Sequence, residues 1–131
     1  MLIILLNRSF LLLLVNPQTD PEILERRYPM LLHEFSLRAG SGGNGLHPGG
    51  DGVIREMEPL RPLTMSVLSE RRTLRPYGLH GGEDGATGRN LLIRTDGTVV
   101  NMGGRCSGNL NTGERIRIET PGGGGYGKQS N

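Results

Sequence analysis

The chain is 131 residues long, with 34% apolar and only 4% aromatic residues, no Trp, and 15 basic against 13 acidic side chains. That is enough for one domain, and it excludes a multidomain enzyme and a coiled coil. A single cysteine, Cys106, excludes a disulfide scaffold and fits a reducing compartment. Fourteen of the fifteen cations are arginine, Lys128 being the exception. They are scattered among acids with no basic run, so no nucleic-acid partner is expected. Twelve apolar residues crowd into Met1–Val15, leaving 33 for the rest of the chain. So thin a supply points to a piece of something larger, whose other parts complete the core.

Met1–Val15 is too short to span a membrane, which takes roughly 20 apolar residues, and Asn7-Arg8-Ser9 interrupts it. The charge lies in the middle of the run, and Asn16-Pro17-Gln18-Thr19 offers no small-residue cleavage site. Residues 1–16 are read as an apolar leader, ahead of a poor signal peptide or a buried element; a membrane partner is not expected. Thr19-Asp20-Pro21-Glu22 then combines a capping-box pattern with Pro in the first turn of a helix. Ile23, Leu24 and Tyr28 give it an apolar face, and Pro29 stops it. Leu31–Arg38 alternates as a strand, with His33 on the apolar side, where a hydrogen-bonded core histidine is expected.

All 22 glycines follow Ala39. They show no three-residue period along the chain, which excludes collagen. Beyond Gly40 the pattern is strand, glycine loop, strand. Predicted strands cover Val53–Glu58 and Leu63–Leu68, with Pro59 and Pro62 against one continuous central strand. Leu91–Thr95 and Thr98–Met102 flank Asp96-Gly97, the strongest hairpin signal present. A last strand, Arg115–Glu119, follows a turn at Asn111-Thr112-Gly113. The expected fold is mainly β: short antiparallel strands with glycine-rich loops and one short N-terminal helix, forming part of a larger domain.

Motifs with a chemical mechanism fail on context. Gly40-Ser41-Gly42-Gly43-Asn44-Gly45 matches a dinucleotide fingerprint, but Leu46–Gly52 opens no helix to meet a pyrophosphate. Gly122 to Lys128 has phosphate-loop spacing, but Gln129 stands where a magnesium-binding hydroxyl belongs. His33, His47 and His80 are not spaced as metal ligands, and no Ser/His/Asp order has triad context. No catalytic residue and no metal site are assigned. Three loops, Gly40–Gly52, Gly78–Gly88 and Gly122–Gly127, concentrate residues that let backbone approach a ligand or another backbone closely. Their candidate positions are Gly42, Gly43, Gly50, Asp51, Gly81, Gly82, Gly123 and Gly124. Ser69-Glu70-Arg71-Arg72 ends a strand beside the second loop. Arg71 or Arg72 is a candidate fork for a carboxylate or acyl phosphate, braced by Glu70, with an interdomain salt bridge as the competing role.

Asp20–Pro29, Gly40–Gly43 and Gly49–Gly52 come first in an ordered set of motifs. Ser69–Arg72, Pro76–Glu83, Asn90–Leu92, Asn101–Gly104 and Thr120–Gly127 follow. Together they resemble the C-terminal region of the hydantoinase B/oxoprolinase family, over residues 17–131. The resemblance implies an ATP-dependent cyclic-amide hydrolase opening 5-oxoproline to L-glutamate in glutathione turnover. It implies a cytoplasmic setting, with phosphoryl transfer in the hydantoinase A part and ring-opening in the B part. ATP and a divalent metal are expected for the complete enzyme, held by upstream parts, and no cofactor for this stretch. The implied partners are the remainder of the A/B enzyme and other copies of it in a homo-oligomer, and the stretch alone is expected to be inactive. An N-methylhydantoinase or ketone carboxylase B subunit and a non-catalytic interaction module stand as alternatives. Departures are Pro48, where many members are basic, Arg105 in place of the usual Lys, and Cys106–Asn109. Arg105 keeps the charge and joins the candidate anion contacts.

Overall fold

The computed structural model describes residues 20–128. The apolar leader, Thr19 and Gln129 lie outside them. Helix α1 spans Pro21–Arg27; the Asp20 carboxylate accepts a hydrogen bond from the Glu22 N–H at 2.9 Å and caps it. It ends at Tyr28, whose extended backbone precedes Pro29. The predicted apolar face of α1 is not covered: Ile23 and Tyr28 stay about half exposed.

Seven strands follow: β1 (Met30–Arg38), β2 (Gly52–Pro59), β3 (Leu63–Leu68), β4 (Arg89–Ile93), β5 (Val99–Asn101), β6 (Arg105–Leu110) and β7 (Arg115–Glu119). All pair antiparallel, in a five-stranded sheet of order β1-β2-β7-β4-β5 and a two-stranded sheet β3-β6. The fold is mainly β, as the sequence indicates. The Asp96-Gly97 hairpin forms, with Gly97 at φ +84° and the Thr98 N–H bonded to the Asp96 carboxylate at 2.8 Å. Strand β6 has no counterpart among the predicted strands. Its inward positions Cys106, Gly108 and Leu110 carry too little apolar bulk to show a period-two signal, and pairing with Val67, Met65 and Leu63 defines it.

Register sorts the larger sheet into two unlike faces. Met57, Ile116, Ile118 and Leu92 share one face. There Leu92, Ile116 and Leu110 form the buried core, with Met65, Val67 and Met102 packed against them. The other face carries Glu34, Glu56, Arg115, Arg117, Glu119 and Arg89.

A register shift between Leu32 and Glu34 makes His33 a bulge residue. The shift puts Leu31 beside Glu58, while Phe35 and Leu37 rejoin the apolar face opposite Arg55 and Val53. His33 is therefore no core histidine: its side chain is about a third exposed and its Nε2 lies 2.6 Å from the Glu58 carboxylate. Uninterrupted alternation suggested a core position; the inserted residue turns the ring to the charged face.

The strand ends Arg38, Gly52, Glu119 and Arg89 meet at one end of the sheet. Three glycine-rich segments cap that end. Ala86 and Glu83 N–H groups bond to the Ser41 and Asn44 carbonyls (2.8 and 2.7 Å). Gly122 and Gly125 bond to Ala86 and Glu83 (3.1 and 2.8 Å), and Gly123 and Tyr126 to Gly50 and His47 (2.8 and 2.9 Å). Within each pair of segments the partners step by three residues in opposite directions. Three residues per turn is the period of polyproline II backbone, which has no internal hydrogen bonds and so bonds sideways. The three-residue period that the chain lacks as a whole thus exists locally, in a three-segment bundle. Glycine is required at its contacts. A Cβ on Gly43 would fall on the Glu83 carbonyl, one on Gly122 on the Ser41 carbonyl, and one on Gly125 on the Asn44 carbonyl.

Candidate functional site

Between the bundle and β4, the turn after β3 bounds an open groove lined by Ser69, Glu70, Arg71, Arg72, Thr73, Leu74 and Gly104. Its floor is a polar network centred on Asn90, which is fully buried. The Asn90 amide donates to the Ser69 hydroxyl and the Gly103 carbonyl, both at 2.7 Å. Its oxygen accepts from Arg72 Nε at 3.2 Å and Nη2 at 3.0 Å. Only this amide orientation works, because Arg72 can only donate and the carbonyl can only accept. Ser69 closes the network: its hydroxyl and its N–H both donate to the Gly104 carbonyl, at 3.0 and 2.7 Å.

Arg72 Nη1 donates to the Glu70 carbonyl at 2.7 Å. The expected brace is therefore the Glu70 main chain, not its carboxylate. The guanidinium lies against Gly88, where a Cβ would meet it. Burial, and then the charge of Arg38, push the Arg72 pKa down, and among the described residues no ion pair to a carboxylate offsets them. Arg71 has φ +57°, rare for a residue with a side chain, and its guanidinium sits 5.9 Å from the Tyr77 ring centroid. Arg105 opens β6 opposite Leu68, exposed and outside the groove lining. The structure thus gathers Ser69, Glu70, Arg71 and Arg72 and leaves Arg105 aside. Asn90, within the motif Asn90–Leu92, and Gly88, at the end of the second glycine loop, belong to the site but were not among its candidate residues. The signal for Asn90 was a polar side chain directly before the apolar run Leu91–Ile93.

The candidate glycine positions take packing roles in the bundle. A Cβ on Gly42, Gly82 or Gly124 would fall on Gly49, Gly125 or Tyr77 backbone, as one on Gly43 would on Glu83. Gly81 turns at φ +89°; Gly50 has open space around its Cα. The Gly123 N–H is given to Gly50. Asp51 accepts from the Gly42 N–H at 2.8 Å, which holds its carboxyl below the usual range. At the far end of the bundle, Tyr126 meets His80 edge-on, ring centroids 4.9 Å apart, and His47 at 6.2 Å.

The one loop with phosphate-loop spacing is not built as a phosphate cradle. The N–H groups of Gly122, Gly123, Gly125 and Gly127 are already bonded to carbonyls, so this loop cannot cradle a phosphate. Among the described residues no three His, Cys, Asp or Glu side chains are grouped to hold a metal. No helix among them is long and apolar enough to cross a membrane.

The family model described as Hydantoinase B/oxoprolinase matches residues 15–129. The chain is 54% identical to "5-oxoprolinase 1" of Arabidopsis thaliana over 109 residues, 83% of this chain and 9% of that protein. It is 51% identical to the 5-oxoprolinase of Dictyostelium discoideum over 111 residues, 85% of this chain and again 9% of the relative. The crystal structure of the ATP-dependent caprolactamase from Pseudomonas jessenii superposes with a TM-score of 0.73 at 35% identity, covering 83% of this chain and 20% of that one. The chain therefore spans less than a tenth of the length of these two 5-oxoprolinases.

Proposed function

The chain belongs to the hydantoinase B/oxoprolinase family, and on that premise we propose that it serves as the C-terminal part of an ATP-dependent 5-oxoprolinase. The complete enzyme opens 5-oxoproline to L-glutamate in the cytoplasm, within glutathione turnover, and works as a homo-oligomer. The observation that carries this reading is the identity of 51–54% to 5-oxoprolinases, against 35% to the caprolactamase, over a similar share of the chain. In this reading ATP and the divalent metal are held by the rest of the enzyme. What this part supplies is a sheet end clamped by the glycine bundle, which fixes the arginine turn at Ser69–Arg72 on a rigid base.

The test is a chimaera. Residues 20–128 replace the matching segment of the Dictyostelium discoideum 5-oxoprolinase, and hydrolysis of ATP and of 5-oxoproline is followed together. Turnover of 5-oxoproline coupled to ATP is expected. A folded chimaera that ignores 5-oxoproline yet opens caprolactam or a hydantoin would overturn the reading. The 131-residue chain by itself is expected to hydrolyse no ATP; ATPase activity that follows the protein through gel filtration contradicts this.

A further inference from the structure

Arginines on the charged face of the sheet are neutralised in place: Arg38, Arg89, Arg115 and Arg117 all reach Glu56 or Glu119 within 3.5 Å. Arg72 is held as firmly, yet among the described residues only by neutral acceptors, the Asn90 amide oxygen and the Glu70 carbonyl. Three of its N–H groups are occupied by these contacts, and a guanidinium has five. Nε and the adjacent Nη2 share the Asn90 oxygen and Nη1 gives one N–H to Glu70, so each terminal nitrogen keeps one further N–H. A carboxylate has an oxygen for each of them. Arg71, also half-buried and without a carboxylate partner among the described residues, lines the same groove. Its left-handed backbone is an energetically costly conformation for a residue with a Cβ. The Gly88 N–H fixes this turn by bonding to the Arg71 carbonyl at 2.9 Å.

We propose that the groove of residues 69–74 and Gly104 is a carboxylate-binding subsite, with the two remaining N–H groups of Arg72 as its fork and Arg71 as its second cation. A half-buried cation beside Arg38 lacks only an anion, and a carboxylate supplies the charge and both acceptors at once. Asn90 and Ser69 are positioning residues: they hold the fork and touch no ligand. The carboxylate belongs either to a small substrate or to an Asp or Glu side chain from the rest of the enzyme.

The test uses the full 131-residue chain, labelled with nitrogen-15, and acetate at constant ionic strength against chloride. Acetate up to tens of millimolar shifts the Arg72 Nε–H and the amides of Ser69–Leu74 saturably, whereas acetamide does not. Arg72→Gln weakens the response about tenfold or more, while Arg89→Gln, whose partner is Glu119, leaves it intact. Should Arg72→Gln fail to fold, Arg71→Gln serves as the second variant and weakens the response several-fold. No saturable shift, an equal shift with acetamide, or wild-type affinity in the folded variants overturns the proposal. A second arm rests on the proposed function and names the source of the carboxylate. In the chimaera, Arg71→Gln raises KM for 5-oxoproline with little change in kcat if the substrate brings it. If KM is unchanged, the seat is filled by a side chain of the enzyme. Failure of the chimaera to turn over 5-oxoproline touches only this arm, because the acetate response needs no catalysis.

Discussion

The two ends of this molecule are held together by opposite means. Across the charged face of the sheet, side chains do the work. Arg117 bonds to Glu34, Glu56 and Glu119, while Arg115 and Arg89 give the two buried carboxylates second partners at 2.7 Å. In the glycine bundle the segments are joined chiefly by main chain, carbonyl meeting N–H directly, with side chains such as Asp51 and the Asn44–Glu83 pair adding a few bonds. A side-chain network has slack, because rotamers adjust and partners substitute for one another. A bundle spaced by the absence of Cβ atoms has none. One region should therefore absorb substitutions and the other reject them.

The largest effect is expected from adding one carbon to the bundle. Gly122→Ala puts a Cβ onto the Ser41 carbonyl, a backbone obstacle that no rotamer change relieves. A loss of about 3 kcal/mol or more is expected in denaturant unfolding, and failure to fold agrees with it. A normal melt would show that the bundle has slack after all. Arg117→Ala comes next. It strips the shared partner from Glu56 and Glu119, whose side chains are only 8% exposed. Breaking a buried ion pair costs roughly 3–5 kcal/mol, and the remaining arginines reduce that to about 2 kcal/mol. The comparison fails if Arg117→Ala costs more than Gly122→Ala.

Acid sharpens the contrast further. The Gly42 N–H holds the Asp51 carboxyl below its usual range, and the Ser36 hydroxyl, followed by Arg117, does so for Glu34. A carboxyl with a depressed folded-state pKa stabilises fully above its unfolded value, about 3.9 for Asp. It loses that contribution as pH falls through the folded value. The melting temperature should thus drop below about pH 4. Asp51→Asn keeps an acceptor for Gly42 and removes one titration, so its acid limb should be shallower than that of the parent. An unchanged limb removes Asp51 from the account. The smallest effect belongs to Gly50→Ala, where a Cβ meets nothing within 4 Å. It should be neutral or stabilise by about 0.4–1 kcal/mol through the unfolded chain.

Legibility followed the same division. Elements defined by local chemistry were readable: the helix start with Pro in its first turn, the Asp96-Gly97 turn, and β3 and β7 with their bounds. The capping-box pattern put the helix cap at Thr19, whereas the structure puts it at Asp20. What needed a partner was not. Strand β6 is a strand because β3 pairs with it. The place of His33 depends on a bulge that alternation cannot reveal. The bundle hid for another reason. Spacings of three do occur, as in Gly82-Gly85-Gly88 and Gly122-Gly125, but Leu46 and Pro48 interrupt the first segment and each run is short. At the candidate site the arginine turn and Asn90–Leu92 were each visible as motifs, but nothing local joins Arg72 to its buried support Asn90, 18 residues further on.

Strand β7 lies in the middle of the sheet, between β2 and β4, and the segment after it bonds to both other members of the bundle. Both assemblies therefore wait on the same short piece of chain. During synthesis, residues 30–93 emerge with the edges of β2 and β4 open and with two glycine loops that have only part of their hydrogen bonds. They stay so until residues 115–127 have cleared the ribosome. The order of manufacture thus sets an interval of exposure, ended in one step by a single late segment, during which open strand edges are liable to pair with other chains.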